Sequence, residues 1–205
     1  MSWFLLQMRN KPLEKTTPVL CGYGIRLRPV TISDAEFILD IRNMPHVKGK
    51  VGNLNLTVEQ ERSWLSQNIA DPLDYFFIVE SLSSVRLGTI GVYNIDFETL
   101  TAESGRIVII PGSLAALPAC ILLNEFCFQQ LNIKKLIGWV VSSNIEVISF
   151  NQQLGYAITH TGHKELQSKA QEVGTTHLEL TKIKWQRQKE KLIKIATNGM
   201  RFQIT

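Results

Sequence analysis

One turn of the sequence has the composition of an anion-binding site. Pro111-Gly112-Ser113 separates a β-rich run from an apolar run with helical spacing that begins at Ala116. A helix that begins after such a turn directs backbone N–H groups and the positive end of its dipole at the turn, which suits a phosphate group. Pro118 has no N–H and removes one donor from the first helical turn. The same pattern also fits a plain strand–turn–helix connection, so the residues alone leave both interpretations open.

Three side chains are candidates for a proton acceptor. Glu103 lies in a β-rich run, near its end, where a carboxylate in a closed cleft can have a raised pKa and accept a proton directly or through water. Asp96 and His46 are its competitors. Glu103 fits a solvated charge at a strand edge equally well, and a single histidine in a loop is usually exposed. Arg42 can bind a phosphate with its planar guanidinium group, or it can end a helix, where a cation is favourable.

The histidines and cysteines do not predict a metal site. His160 and His163 diverge on a predicted strand or turn, and no set of cysteines or carboxylates completes a tetrahedral site around them. Cys21, Cys120 and Cys127 have no metal-binding spacing. The last two fall in an apolar helical run, where a cysteine acts as a small hydrophobic residue. Reduced thiols and a cytoplasmic protein are therefore expected.

Composition and charge restrict the class of protein. The 205 residues suit one domain, and 44% hydrophobic with 20% charged residues is typical of a globular protein. No uncharged apolar run approaches the roughly 20 residues of a membrane span, so no membrane partner is expected. The net charge is +4, but it is unevenly distributed. The segment from Lys182 to Arg201 has seven Lys and Arg and one Glu, a net charge of +6, so the remaining residues carry a net charge of about −2. A basic tail of this kind predicts a solvated helix face or a homodimer contact rather than a nucleic-acid-binding face.

The hydrophobic pattern predicts a mixed α/β domain. The predicted order is β–α–α–β–β–β–α–β–α–β–β, followed by a basic helix over 184–196. Antiparallel strands followed by two βα units indicate a mixed, mostly antiparallel central sheet flanked by helices. The predicted divisions are an N-terminal arm (1–24), the domain (25–183) and a basic C-terminal tail or helix (184–205). The predicted strands cover 25–28, 75–81, 87–93, 103–110, 135–141, 156–161 and 175–183, and the predicted helices include 57–69, 116–131 and 144–154. Thr57 with Gln60 has the capping-box pattern of a helix start, and Gly155 is typical of a left-handed helix stop.

Four segments are similar to one protein family, in the right order and at the right spacing. They are IRLRPVTISDAEFILDIRNMP at 25–45, LGTIGVYNID at 87–96, AESGRIVIIP at 102–111 and NIEVISFNQQLGY at 144–156. Together they resemble the GCN5-related N-acetyltransferase (GNAT) superfamily over residues 25–183, in particular its branch of ribosomal-protein alanine and amino-sugar N-acetyltransferases. The resemblance implies the GNAT fold, acetyl-CoA as co-substrate and no metal.

The resemblance also implies roles for individual residues. Glu103 takes the place of a family carboxylate and is the predicted general base. Asn144 resembles an asparagine that contacts pantetheine, although it can also cap the next helix. The strand edge that would pair with the pantetheine arm, through a bulge, is Val108, Ile109 and Ile110. The backbone that would bind the pyrophosphate belongs to Gly112, Ser113, Leu114, Ala115, Ala116 and Leu117. The acceptor pocket would include Arg42, Asn43 and His46.

Two positions depart from the family pattern. The pyrophosphate loop of the family reads Gln/Arg-x-x-Gly-x-Gly/Ala, whereas this chain has Ile109-x-x-Gly112-x-Leu114 and keeps only the first glycine. Because backbone N–H groups make the phosphate contacts, a weakened but working CoA site is expected. Phe150 replaces a tyrosine thought to protonate the leaving thiolate, and a phenyl ring cannot donate that proton. Water or Tyr93 would then protonate it, with Phe150 as an apolar wall of the cofactor site.

These observations predict an N-acyltransferase. The expected reaction moves an acetyl group, or a similar short acyl group, from CoA to the amine of a small acceptor, and the resemblance favours a nucleotide-linked amino sugar. One alternative is acetylation of a protein N-terminus. Another is a catalytically inactive GNAT-fold module that binds a ligand or partner, which both departures permit. CoA binding distinguishes the enzyme from the inactive module, and an acceptor screen distinguishes sugar from protein.

Overall fold

A mixed β-sheet with helices on both faces makes up the computed structural model, which describes residues 15–47, 56–166 and 171–201. The strands of this described part are β1 (Leu20–Gly22), β2 (Ile25–Pro29), β3 (Tyr75–Ser81), β4 (Arg86–Asp96), β5 (Thr101–Ile109), β6 (Lys135–Val141), β7 (Ala157–Leu166) and β8 (Gln171–Thr181). The helices are α1 (Ala35–Arg42), α2 (Val58–Ala70), α3 (Ala116–Glu125), α4 (Ile145–Leu154) and α5 (Lys182–Arg201). A 3₁₀ turn (Ile32–Asp34) precedes α1, and a π-helical turn (Phe126–Gln130) continues α3.

One strand pair of the sheet determines where a cavity can form. The strand order is β1-β2-β3-β4-β5-β6-β8-β7, and every neighbouring pair is antiparallel except β5 with β6. The parallel pairing covers only Thr101–Glu103 against Lys135–Ile137. Both strands continue beyond this short ladder, β5 to Ile109 and β6 to Val141, without pairing to each other. The sheet therefore opens into a wedge between β5 and β6.

The predicted fold class and element order are confirmed, with two differences. β1 was not predicted: residues 20–22, assigned to the arm, pair with β2, and Leu20 is buried opposite Leu27. The β7–β8 hairpin extends further than predicted on both strands. Its outer part, around His163 and Lys164, carries few apolar side chains, so the alternation that indicates a half-buried strand is absent there. The segment 43–56, polar in sequence, was predicted to be irregular; its residues 48–55, like the N-terminal residues 1–14, lie outside the described residues.

The helices bury their apolar sides on opposite faces of the sheet. On one face, Ile38 of α1 and Leu65 of α2 pack with Phe76 and Ile78 of β3. On the other face, α3 is buried along almost its whole length and joins the largest core cluster. The predicted basic helix is present as α5, and its apolar side belongs to that cluster, because Trp185 is 1% exposed. The basic residues are therefore one face of a helix whose other face is core.

Local sequence signals explain where the helices begin and end. The predicted capping box of α2 is confirmed: the Gln60 N–H donates to Thr57 Oγ1 at 3.2 Å, and the Thr57 N–H donates to Gln60 Oε1 at 2.8 Å. Gly155 ends α4 in the left-handed conformation, with φ of 103°. Pro118 lies in the first turn of α3, where it displaces no helical hydrogen bond. These signals place the starts of α2 and α3 beside the wedge.

Candidate active site

A cavity of about 880 Å³ lies where β5 and β6 diverge. One end, the polar end, is lined by side chains of α1, α2 and the turn after α1: Arg42, His46, Gln60, Glu61 and Trp64. The other, the strand-edge end, is lined by β5, α3, α4 and the residue before α4: Val108, Ile109, Ala116, Asn144 and Phe150. The bulged part of β5, residues 105–107, lines the same cavity.

The bulge in β5 shapes the strand-edge end. Gly91 pairs with Gly105 and Thr89 pairs with Val108, so Arg106 and Ile107 together oppose a single residue of β4. Arg106 has φ of 54°, and Thr89 Oγ1 donates to its carbonyl oxygen at 2.8 Å. A bulge bends its strand and increases the local twist. It lies just before the edge where the sequence predicted one, and beyond it the β5 edge that faces β6 has no strand partner.

Two of the three predicted strand-edge residues line the cavity. Val108 and Ile109 do so, whereas Ile110 follows the end of β5 and donates its backbone N–H to the Leu87 carbonyl at 2.9 Å. On the β4 side, Val108 pairs with Thr89 and Ile109 with Gly88. Because β4 occupies one side of Val108 and Ile109, an extended ligand would pair with the backbone of these residues along the side that faces the wedge.

The Gly112 turn leads into α3 as predicted. Gly112 has φ of +80°, a conformation that favours glycine, and a Cβ built there would meet nothing within 4 Å. The Ser113 hydroxyl accepts the Ala115 N–H at 3.2 Å, which removes one donor from the predicted phosphate set. Ala116 lines the cavity. The predicted phosphate-binding residues that do not line it are Gly112, Ser113, Leu114, Ala115 and Leu117.

Asn144 and Phe150 form the wall that α4 contributes. Asn144 precedes the first residue of α4, and its side chain makes no capping hydrogen bond. Of the two roles that the sequence left open for Asn144, the cap is therefore not used, and the residue lines the cavity. Phe150 lines the cavity and packs partly against the main core cluster. The predicted apolar wall lies where a ligand in the wedge would contact it.

At the polar end, two of the three predicted acceptor residues line the cavity. Arg42 does so, and its Nη1 lies 3.3 Å from Glu61 Oε2 in an ion pair. His46 also lines it. Asn43 does not, because its side-chain amide donates back to the Leu39 carbonyl at 2.9 Å and closes the end of α1.

The predicted base is connected to the cavity through a tyrosine. The Tyr93 hydroxyl lines the cavity side of β4 and donates to Glu103 Oε1 at 2.8 Å. Asn94 Nδ2 donates to the other carboxylate oxygen at 3.0 Å, and Glu103 itself is not among the lining residues. Burial, with the neighbouring Glu103 carboxylate, raises the pKa of Tyr93. Asp96 accepts the N–H groups of Glu98 and Thr99 in the β4–β5 turn, away from the cavity.

Two charged residues that line the cavity, Arg106 and Glu61, were not predicted from the sequence. Arg106 lines the cavity. Its guanidinium group forms a bidentate ion pair with buried Asp74, with both contacts at 2.7 Å, and lies 4.1 Å from the centre of the Tyr93 ring. Glu61 is fully buried and also lines the cavity. Its position was a usable signal, because Glu61 lies three residues after Val58 and four before Leu65, on the apolar side of a predicted helix.

The two histidines considered for a metal site are engaged otherwise. His160 stacks on His177 with ring centres 4.1 Å apart, and His163 pairs with Gly174 across the β7–β8 hairpin. Within residues 15–47, 56–166 and 171–201, no three His, Cys, Asp or Glu side chains are grouped as metal ligands. None of the helices in this part of the chain combines the length and the apolar character of a membrane span.

Comparison with protein families gives one match over most of the domain. The model of the Acetyltransferase (GNAT) domain matches residues 25–157, which is more than half of the chain. Comparison with curated protein sequences gives no match.

Several solved structures have the same fold at low sequence identity. Spermidine N-acetyltransferase from Vibrio cholerae, in complex with CoA and spermine, is 17% identical with a TM-score of 0.72, covering 80% of this chain and 99% of that one. A GCN5-related N-acetyltransferase from Brucella melitensis is 16% identical with a TM-score of 0.74, covering 87% and 85%. The apo form of FdhC, a nucleotide-linked sugar GNAT, is 19% identical with a TM-score of 0.71, covering 89% and 98%. At these identities the likeness shows the fold.

Proposed function

The chain belongs to the GNAT acetyltransferase family, and from this premise we propose that it transfers an acetyl or similar short acyl group from CoA to the amine of a small acceptor. The observation that carries the proposal is the wedge between β5 and β6. It combines a free strand edge and a helix start at one end with a cluster of charged side chains at the other. Acetyl-CoA is the co-substrate of GNAT acetyltransferases.

The strand-edge end would hold the cofactor. The β5 edge at Val108 and Ile109 offers backbone groups to the amides of pantetheine, and Asn144 adds a side-chain amide that no capping bond occupies. The start of α3 would bind the pyrophosphate, because the first N–H groups of a helix have no partner within it. Phe150 would contact the thiol or acyl part of the ligand as an apolar wall.

The polar end would hold the acceptor amine, and we propose a nucleotide-linked amino sugar as the acceptor. The resemblance of segment 25–45 to the branch of ribosomal-protein alanine and amino-sugar N-acetyltransferases supports this assignment, as does the shared fold with a nucleotide-linked sugar GNAT. The shared fold with a spermidine acetyltransferase makes polyamines the first competing class. A protein N-terminus is the second, and an inactive binding module is the alternative in a different class.

Three of the groups that the sequence offers for proton transfer lie in the cavity lining or bond to it: His46, Tyr93 and Glu103. Glu103 remains the predicted base, and in this arrangement it would act through the Tyr93 hydroxyl, which bonds to it. Tyr93 would also be the donor to the leaving thiolate. Because a free thiol has a pKa of about 8.5, a thiolate also leaves without a dedicated acid, and water is sufficient as the proton source.

We also propose a cytoplasmic protein. Cys120 and Cys127 are buried free thiols, and burial raises the pKa of Cys120 to about 12, so both are protected from oxidation as small core residues. A homodimer remains a proposal that rests on the basic face of α5.

The proposal is tested by binding and by turnover. Titration calorimetry with CoA is expected to show binding in the submillimolar range, and no heat at millimolar CoA would contradict a cofactor site. Thiol release from acetyl-CoA is then measured with four acceptors: UDP-glucosamine, glucosamine, spermine and a peptide with an N-terminal alanine. CoA binding without thiol release for any amine would favour the inactive module.

A further inference from the structure

Glu61 differs from the other buried carboxylates of the described residues. Asp34, Asp74 and Glu80 each have both side-chain oxygens within 2.7 Å of arginine nitrogens. Glu61 is 0% exposed, yet only Oε2 has a partner, Arg42 Nη1 at 3.3 Å. Its Oε1 is buried without any hydrogen-bond partner.

An unpartnered buried carboxylate oxygen calls for an explanation. Native proteins pair nearly all buried polar atoms, because leaving one dry and unpaired is unfavourable. Glu61 is one of the residues that line the polar end, together with Arg42 and His46. Its Oε1 has less than 1 Å² of accessible surface, so an acceptor group in the polar end reaches it after a small shift of the surrounding side chains. A donor group, and above all a positively charged one, would supply the missing partner.

We propose that Glu61 binds the ammonium group of the acceptor through Oε1 and accepts a proton from it. This inference rests on the proposed acyl transfer, and it makes a cationic amine the acceptor class. It assigns to Glu61 a role for which the sequence predicted Glu103. Both oxygens of Glu103 already accept hydrogen bonds, from Tyr93 and from Asn94.

The proposed step is balanced as follows. One ammonium proton passes to Glu61 Oε1, which leaves a lone pair on the nitrogen. That lone pair attacks the thioester carbonyl carbon, a C–N bond forms, and the carbonyl π electrons move to oxygen. Collapse of this tetrahedral species restores the carbonyl and breaks the C–S bond, and the sulfur leaves with the bonding pair. A second proton from nitrogen reaches the sulfur through solvent, and Glu61 then returns its proton to solvent.

The charges around Glu61 suit this step. Burial raises the pKa of Glu61 above its ordinary value, and the positive charges of Arg42 on α1 and Arg106 on β5 oppose that rise. The charge of Arg106 is shared with Asp74, its ion-pair partner, and His46 follows α1 at the same end of the cavity. A carboxylate with a raised pKa is a stronger proton acceptor, and it loses this capacity as the pH falls through its pKa.

The test compares Glu61→Gln with a control on the same helix. Glu59→Gln makes the same chemical change, and its side chain is 82% exposed and paired with Arg62. With the amine of the four-member panel that the wild type uses best, Glu61→Gln is expected to lower kcat/KM about 100-fold or more at pH 7. Glu59→Gln is expected to match the wild type. CoA affinity is expected to be unchanged in both variants.

The pH profile separates proton transfer from a structural role. Without Glu61 the reaction depends on acceptor that is already neutral, so the deficit of Glu61→Gln is expected to shrink as the pH rises toward the pKa of the amine. Glu61→Asp is expected to recover part of the activity. A deficit that is the same at every pH, or a Glu61→Gln variant close to wild type beside an inactive Glu103→Gln, would overturn the proposal.

One measurement needs no variant of Glu61. The most active amine and its hydroxyl analogue, for example UDP-glucosamine and UDP-glucose, are compared as ligands of the wild-type protein saturated with CoA. The amine is expected to bind about tenfold more tightly, the effect of one charge-assisted hydrogen bond. Equal binding overturns the role of Glu61 but leaves acyl transfer intact. If the wild-type protein shows no turnover with any of the four amines, the proposed acyl transfer is overturned, and the proposed role of Glu61 is overturned with it.

Discussion

The two ends of the cavity are built from different parts of the chain. The strand-edge end offers mainly backbone groups: the open edge of β5 and the first N–H groups of α3. The polar end and the β5 bulge beside it offer side chains held in ion pairs: Arg42 with Glu61 at the polar end, and Arg106, which lies over the Trp64 ring, with Asp74. Backbone groups are present for almost any residue type, whereas an ion pair depends on two particular residues. The strand-edge end should therefore tolerate substitution, and the polar end should not.

This contrast explains how a family motif can be incomplete while the turn that carries it keeps its backbone geometry. The chain lacks the leading polar residue and the second glycine of the loop, but the turn still has Gly112 at φ +80° and still leads into α3. The predictions below test the contrast, beginning at the polar end.

The largest effect is expected for Arg106→Ala. The substitution leaves the Asp74 carboxylate buried without its two bonds of 2.7 Å and removes the cation beside the Tyr93 ring. Breaking a buried ion pair by removing one partner typically lowers the free energy of unfolding by about 3 kcal/mol or more. Urea unfolding followed by circular dichroism measures the loss.

The matched control for Arg106 is Arg62→Ala. Arg62 also forms two ion pairs, with Glu59 at 3.1 Å and Glu36 at 3.5 Å, but all three side chains are exposed. Exposed pairs contribute about 0–1 kcal/mol, so a small change is expected. Similar losses for Arg62→Ala and Arg106→Ala would contradict the view that the polar end depends on buried charge.

Phe150 is a side chain at the strand-edge end. The loss of stability expected for its removal is smaller than that for Arg106→Ala and larger than that for Arg62→Ala. Phe150→Ala is expected to lower the free energy of unfolding by about 2 kcal/mol, less than for a fully buried phenylalanine, because the ring is only partly buried. Phe150→Tyr keeps the ring and adds a donor toward the cavity. It is expected to keep or raise the rate of thiol release. A strong loss of activity in Phe150→Tyr would show that the wall must be apolar.

The sequence predicted the fold well because the fold depends on patterns that neighbouring residues carry. The capping box at Thr57 and Gln60, the stop at Gly155 and the turn at Gly112 are local signals, and each is found where it was expected. The short strand β1 has no comparable signal, because a three-residue strand is defined by its pairing with β2.

The candidate site was only partly predictable, for a physical reason. Val108, Ile109 and Asn144 were assigned from the resemblance of their segments to the family, and all three line the cavity. Glu61 and Arg106 could not be assigned, because their meaning depends on partners far away in sequence: Arg42 precedes Glu61 by 19 residues and Asp74 precedes Arg106 by 32. Nothing in the local pattern distinguishes such a charge from a solvated one, apart from the position of Glu61 on the apolar side of α2.

The smallest effect is expected for Leu114→Gly, which restores the second glycine of the loop pattern. Leu114 is 58% exposed, so its removal leaves no cavity, but a Cβ near the helix start limits how closely a phosphate can approach. CoA is expected to bind a few-fold more tightly by titration calorimetry, while the free energy of unfolding falls by about 0.5–1 kcal/mol from the added backbone freedom. Leu82→Gly is the control, since Leu82 is 67% exposed in the β3–β4 turn and does not line the cavity. It should show the stability loss alone. Weaker CoA binding in Leu114→Gly would mean that the side chain at 114 contacts the cofactor, and that the strand-edge end is not built from backbone alone.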